Sequence, residues 1–515
     1  MGKSRLRNGL YTAFSGTAKT IISFITTFVS RSIFIYLLSA EYLSLNGLFS
    51  NILSLLSLAE LGMGSAITFY LYEPIADNDR ERIKTILRFY KFCYRTVGLF
   101  IICAGACLMP LLPRLVNFDS ELPVNLYVVY FLFLLNNGCT YLLNAYKESF
   151  IRANQAGYKV ENISSVFLLL NCLTDAIVLI MFRNYIVYLV GKLLLTLGRN
   201  VTIGIVADKM YPFIKEKGEK LPKEEYKLFF KDVGNILIFN MGDRMLNAVD
   251  NIIMSIYLGT LTVGFYSNYN LILTQIKSFY NQVFNSFRAG IGDVIASESE
   301  KKYEVYKQIN LVNQILSTCV TVGLFQIINS FINIWIGGVD KNYILPQSVI
   351  FAIVLNKYFD IYTIVLYMFK EAQGEFKVAR YASFLSGFLN IVLSIIFVKR
   401  IGLFGIFLAT VICKYTVSSI PFVIGVADKV FDGRRKEILI DFYGNLILTC
   451  VLMAGSWFIC RFVHCKSIFH LVAEFIICSA YLVCAMLLIH SRKKEFKAVT
   501  SKFFTPIKAK IFGRR

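Results

Sequence analysis

Apolar runs separated by short polar segments recur along the whole chain. Runs such as "TVGLFIICAGACLMPLL" and "LVAEFIICSAYLVCAMLLI" are continuously apolar, without the period-2 alternation of a barrel strand. Only helices or closed barrels satisfy the backbone in lipid, so the runs predict membrane-spanning helices. Fourteen fit, near 12–38, 44–72, 95–113, 125–146, 161–182, 185–208, 232–257, 262–290, 309–331, 347–369, 380–398, 402–426, 440–460 and 468–490. The predicted class is an all-α polytopic membrane protein.

Two spans break the apolar pattern along one face. In "NMGDRMLNAVDN" the seventh span places Asn240, Asp243, Asn247 and Asp250 at steps of +3, +4 and +3, with Arg244 and Asn251 adjoining. The eighth repeats this with Ser267, Asn270, Thr274, Lys277, Asn281, Asn285 and Arg288. A charge near the bilayer centre costs roughly 2.5–3.5 kcal/mol on insertion scales, so these stripes need a functional counterpart.

The chain also resembles itself. "VADK" at 206–209 returns at 426–429, and "QAGYKV" ending at Val160 returns as "QGEFKV" ending at Val378. The offsets, 220 and 218, bring both motifs to the same points in the span order. Six spans per copy is an even number, so the copies insert in the same orientation, related by an axis along the membrane normal. This predicts an N-lobe at 1–208, a charged cytoplasmic linker at 209–231, a C-lobe at 232–428, two appended spans with their preceding loop at 429–490, and a basic tail at 491–515. Shifting the second copy by 220 sets Ser23, Thr27, Ser30 and Arg31 of span 1 opposite the charged face of span 7, and a serine row of span 2 opposite span 8. Four polar faces in register predict a water-filled cavity between lobes, lined by spans 1, 2, 7 and 8. Helix-to-helix hydrogen bonding accounts for a single Ser or Thr, but not for a charged row the length of a helix.

Composition sharpens this. The 515 residues are 56% hydrophobic with a mean hydropathy of +0.59, too apolar for a soluble chain of this length. The net charge of +21 could suggest nucleic acid, but placement decides otherwise. With both termini cytoplasmic, about 38 of the 54 Lys and Arg fall in cytoplasmic segments, so the excess is mostly a topology signal, and Lys399 and Arg400 are the strongest exception. The 12 cysteines have no C-x-x-C spacing and read as small core residues, supporting neither metal nor disulfides. Charges assigned to the cavity are Lys19, Arg31, Arg244, Lys277 and Arg288 against Glu60, Asp243 and Asp250, a positive balance suited to an anionic headgroup. Candidate headgroup residues are Arg31, Arg244, Lys277 and Arg288. Lys19, Glu60, Asn240, Asn247, Asn251, Asn270, Asn281 and Asn285 are expected to line the cavity. Asp243 and Asp250 are expected to balance the bases and bind a coupling H⁺ or Na⁺. Lys357 and Asp360, at i and i+3, read as a local pair, and Lys192, Arg199, Asp175 and Lys414 are not assigned to the site. No phosphate-binding G-x-x-x-x-G-K-[ST] occurs and no cofactor is implied; short outside loops argue against a membrane glycosyltransferase or polymerase.

The stretches "SRSIFIYLLSAEYLSLNGLFSNILSLLSLAELGMGSAITFYLY" and "DNIIMSIYLGTLTVGFYSNYNLI", with the length, repeat and span order, resemble Wzx-type polysaccharide repeat-unit flippases of the multidrug/oligosaccharidyl-lipid/polysaccharide exporter superfamily. The resemblance implies two six-helix lobes forming a V, two extra helices and alternating access. It also implies a non-enzymatic carrier in the bacterial cytoplasmic membrane, moving oligosaccharide on undecaprenyl pyrophosphate to the outer leaflet for capsule or O-antigen synthesis. Membrane lipid and a polysaccharide polymerase are the implied partners, of a monomeric chain that binds no nucleic acid. The related lipid II flippases resemble users of an arginine cluster from spans 1, 2 and 8; here span 1 offers Arg31 and span 8 offers Lys277 and Arg288, while span 2 offers only Glu60. A multidrug or metabolite cation antiporter of the same fold is the alternative; an acidic, aromatic cavity would be expected of it.

Overall fold

A computed structural model describes residues 2–57, 70–71, 73–75, 77–116, 124–227, 234, 249–285, 287, 291, 294–295, 299–375, 377–461, 467–493 and 495–497. The helices are α1 (Gly2–Leu37), α2 (Ala40–Leu56), α3 (Arg80–Leu108), α4 (Leu126–Leu142), α5 (Ala145–Ala153), α6 (Gly157–Phe182) and α7 (Tyr185–Met210). There follow α8 (Val249–Leu258), α9 (Thr260–Asn285), α10 (Lys302–Ile336), α11 (Gln347–Tyr362), α12 (Ile364–Ala372), α13 (Arg380–Ile412), α14 (Ser419–Val430), α15 (Arg435–Cys460) and α16 (Ile468–His490). Among the described residues nine helical stretches are long and apolar enough to cross a membrane, and α4 with α5, bent by 47°, makes a tenth. One of the nine, Arg380–Val430, breaks at Ile401 and Gly402, so it supplies two of the predicted spans. The protein is an all-α, multi-pass membrane protein. Each predicted span meets a helix, though in span 7 only Gly234 and the part from Val249 are described.

The chain forms two compact units, Met1–Ser267 and Asn268–Arg515, taken separately here. The lobe limits drawn from the repeat remain a proposal. In the first unit α1 lies along α6, and α2 is crossed closely by the start of α9. A Cβ at Gly264 would run into the Ser44 hydroxyl and sit 3.3 Å from the Ala40 carbonyl oxygen, so only glycine permits that approach. The buried core gathers residues of α3, α5, α6 and α7, including Phe89, Tyr90, Phe150, Val160 and Ala207. The second unit repeats the arrangement with Tyr306, Phe369, Val378, Val426 and Ala427.

The repeat is visible in these elements. The fourth span of each copy is broken, α4 from α5 around Asn144 and α11 from α12 at Thr363, and both continuation helices are nine residues long. The helices carrying "VADK" end at Met210 and Val430, again 220 apart. In both copies the motif's alanine is fully buried and its acid takes a base: Asp208 accepts from Lys147 at 2.7 Å, and Asp428 from Arg435 at 2.6 Å.

In the second unit α13 turns back on itself. Gly402, at φ +61°, makes the turn, and Ser386, Asn390 and Ser394 bond across it to the Cys413 carbonyl, Thr410 Oγ1 and the Ile406 carbonyl. These serines and the asparagine are fully buried at steps of four, which is helix-to-helix bonding by small polar residues. Beyond the turn, residues Cys413–Ser418 form a π-helical segment. Pro421 lacks an N–H and its ring crowds the carbonyl four residues back, at Val417, so the widened turn sits where the α-ladder fails. The Tyr415 carbonyl there is taken by the Ser419 and Tyr443 hydroxyls, at 2.7 and 2.6 Å.

Candidate functional site

The π-helical segment aims Lys414 inward. Its side chain is 1% exposed, and its ammonium donates to Asp360 Oδ1 at 2.8 Å and to the Asn356 carbonyl at 3.3 Å. Asp360, on α11, is 4% exposed, and its other oxygen accepts from Lys277 of α9 at 3.0 Å, with Lys357 at 4.0 Å. Three lysines thus surround one aspartate, Lys357, Lys414 and Asp360 on helices long and apolar enough to cross a membrane, with a net charge of +2 for the four residues. Lys277 is one-third exposed while Lys414 is sealed, so the cluster has an accessible and a structural end.

The sequence reading of Lys357 and Asp360 as a local pair is therefore too narrow: Lys357 is the most distant of the three bases, and Lys414, left unassigned, is the most deeply buried. The signal lay in "ATVICKYTVSSIPF", where a lone lysine in an apolar span requires a carboxylate from another span.

Arg31 is half-buried and its Nη2 donates to Ser267 Oγ at 2.6 Å. Lys19 bonds Glu161 at 2.8 Å, and Glu161 also takes Arg152 at 2.6 Å. Arg152 and Arg199 then share Glu148, at 2.9 and 3.1 Å, so Lys19 belongs to a five-residue ion chain in the first unit. Asp250 and Asn251 are buried on α8, 4% and 3% exposed. Asn270 is half-buried and accepts from Thr274 at 3.4 Å; Asn281 is half-buried further along α9. Asn285 ends that helix, its side chain outside the described residues, as are Glu60, Asn240, Asp243, Arg244, Asn247 and Arg288 altogether. The serine row of span 2 is partly local: Ser57 bonds the Leu53 carbonyl at 2.9 Å and contacts Asn137 Oδ1 at 3.4 Å.

The all-helical, multi-pass fold is shared with solved membrane transporters, among them members of the multidrug/oligosaccharidyl-lipid/polysaccharide exporter superfamily. The lipid II flippase MurJ in an inward closed conformation superposes with a TM-score of 0.62 at 16% identity, over 92% of this chain and 99% of that one. An inward-facing multidrug resistance MATE family transporter gives 0.63 at 13% identity, over 81% and 98%. A transporter of the superfamily from Pyrococcus furiosus, whose binding pocket has reversed polarity, gives 0.58 at 11%, over 82% and 96%. No family model and no curated protein matches the chain in sequence.

Proposed function

We propose that the chain is a secondary-type transporter that flips undecaprenyl-pyrophosphate-linked oligosaccharide from the inner to the outer leaflet of the bacterial cytoplasmic membrane, for capsule, O-antigen or exopolysaccharide synthesis. The observation carrying this reading is the cluster of Lys277, Lys357 and Lys414 on Asp360. Three bases converge on one carboxylate there, a concentration of positive charge suited to the oxygens of a pyrophosphate. Asp360 occupies Lys277 until a phosphate oxygen replaces it, while Lys414 stays as the buried anchor. Arg31, Arg244 and Arg288 are the further headgroup residues, and Asp243 with Asp250 the coupling acids. The fold shared with a lipid II flippase over 92% of this chain supports a lipid-linked substrate. The fold shared with MATE transporters supports a cation antiporter equally well, but a site with three lysines to one aspartate repels a cation.

Reconstitution into vesicles containing a fluorescent undecaprenyl-pyrophosphate oligosaccharide tests this, with dithionite bleaching as the readout of the outer leaflet. The unsubstituted protein should move the lipid, and Lys277→Ala should slow it by about 10- to 100-fold, the loss of one charge-assisted bond of roughly 1.5–3 kcal/mol. Flipping at the original rate by both Lys277→Ala and Arg31→Ala would overturn the cationic site. Exchange of an organic cation for H⁺ or Na⁺ without lipid movement would establish the antiporter instead.

A further inference from the structure

A second basic site lies wholly within the first unit. A cavity of about 620 Å³ opens between the first turns of α3, residue Tyr146 of α5 and the segment 214–218. On α3 its bases, Lys84, Arg88, Lys91 and Arg95, step by four, three and four residues along one helix face. Lys215 and Lys217 add two more from the facing segment, against a single acid, Glu216.

The bases have different duties. Lys84 is held by Glu216 at 2.8 Å, and Arg88 donates to the Gly218 carbonyl at 2.8 Å, so these two fix the segment that forms one wall. Lys91 and Arg95, both exposed, rise above that floor, and Lys91 lies over the Tyr146 ring at 6.0 Å. Phe92, next to Lys91, and Leu99, one turn beyond Arg95, line the same cavity yet are 60% and 59% exposed, on a helix that continues as a membrane span. From Lys84 to Leu99 the helix rises about 22 Å, so the cavity runs from paired bases past Lys91 and Arg95 to an apolar end at Leu99, with Phe92 between, as a lipid runs from headgroup to chain.

We infer that this cavity binds the phosphate headgroup of an anionic membrane glycerophospholipid, with its acyl chain along Phe92 and Leu99. A soluble phosphate would use the bases but not the exposed apolar mouth, which is why the lipid is favoured as the source. The site needs no transport activity, so it stands or falls independently of the flippase reading.

Native mass spectrometry of the detergent-purified full chain, titrated with phosphatidylglycerol or phosphatidylcholine, tests it. Phosphatidylglycerol should bind in preference to phosphatidylcholine, and Lys91→Gln with Arg95→Gln should weaken it by about 30-fold, from the loss of two surface charges. The charge-keeping pair Lys91→Arg with Arg95→Lys should bind as the original does, which separates lost charge from lost folding. Inorganic pyrophosphate at equal concentration should not displace the lipid. Unchanged phosphatidylglycerol binding by the glutamine pair, equal binding of the two lipids, or displacement by pyrophosphate would each overturn the assignment.

Discussion

Asp360 is the residue on which the second unit's charges turn. It is almost fully buried and serves Lys414, which has no access to water at 1% exposure. Removing one partner of a buried ion pair leaves an uncompensated charge and costs about 3–5 kcal/mol, whereas replacing both by apolar groups of similar size is nearly neutral. Asp360→Asn should therefore lower the melting temperature in detergent markedly, and adding Lys414→Met should recover most of the loss. Lys277→Met, at the accessible end, should melt close to the original while losing transport. A double variant melting no higher than Asp360→Asn alone would show that the pair does not hold these helices. This cluster was only half legible in the sequence. Lys357 showed itself through helical spacing, but Lys414 and Lys277 are 54 and 83 residues from Asp360, and no local period connects them. The same spacing predicts charged faces on spans 7 and 8, and of their ionic residues Asp250 and Lys277 fall among the described residues.

Helices are legible where apolar length alone decides them. The run 468–490 is found as Ile468–His490, and 161–182 lies inside Gly157–Phe182. Where polar residues continue a helix past the bilayer, the apolar run underestimates it: α3 begins at Arg80, capped by the Asp79 side chain on the Arg82 amide, fifteen residues before the predicted span. That extension changes the reading of 209–231. The described part of this segment is docked on α3, through Glu216 on Lys84, Glu225 on Arg82, and the Tyr226 ring on Phe89 at 4.6 Å. Gly218 lies against the Lys84 and Thr85 backbone, where a Cβ would collide. Lys84 holds the Glu216 carboxyl below its ordinary value of 4.5. A depressed acid contributes stability above its unfolded value and loses it as pH falls through the folded one, so docking is complete at pH 7 and weakens below about 4.5. Amide exchange across 214–218, corrected for intrinsic rates, should be protected at pH 7 and lose protection toward pH 3. Lys84→Gln should abolish that dependence, and Gly218→Val should speed exchange at both pH values. Protection indifferent to Lys84 would mean that the Arg88 bond and ring packing hold the segment alone.

At the scale of the whole molecule, one set of spans must account for the position of every loop. The fourteen-span reading predicts that 209–231, 429–434 and the tail all lie on the side of the N-terminus. The same order puts the segment around Asp340, between α10 and α11, on the opposite side, together with the turn at Ile401 and Gly402. That turn is the hardest test, because Lys399 and Arg400 stand beside it, against the tendency of bases to stay in the cytoplasm. Ser386, Asn390 and Ser394 pair with the returning half of the helix, and the span count predicts that each half crosses once, with the turn opposite both ends. In a cysteine-free background, Lys217→Cys should resist an impermeant maleimide in intact cells and react after permeabilisation, whereas Lys341→Cys and Arg400→Cys should react without it. Labelling of Lys217→Cys together with protection of Lys341→Cys would invert the orientation. Protection of Arg400→Cys with Lys341→Cys labelled would overturn the two-crossing hairpin, and with it the even count that places both termini in the cytoplasm.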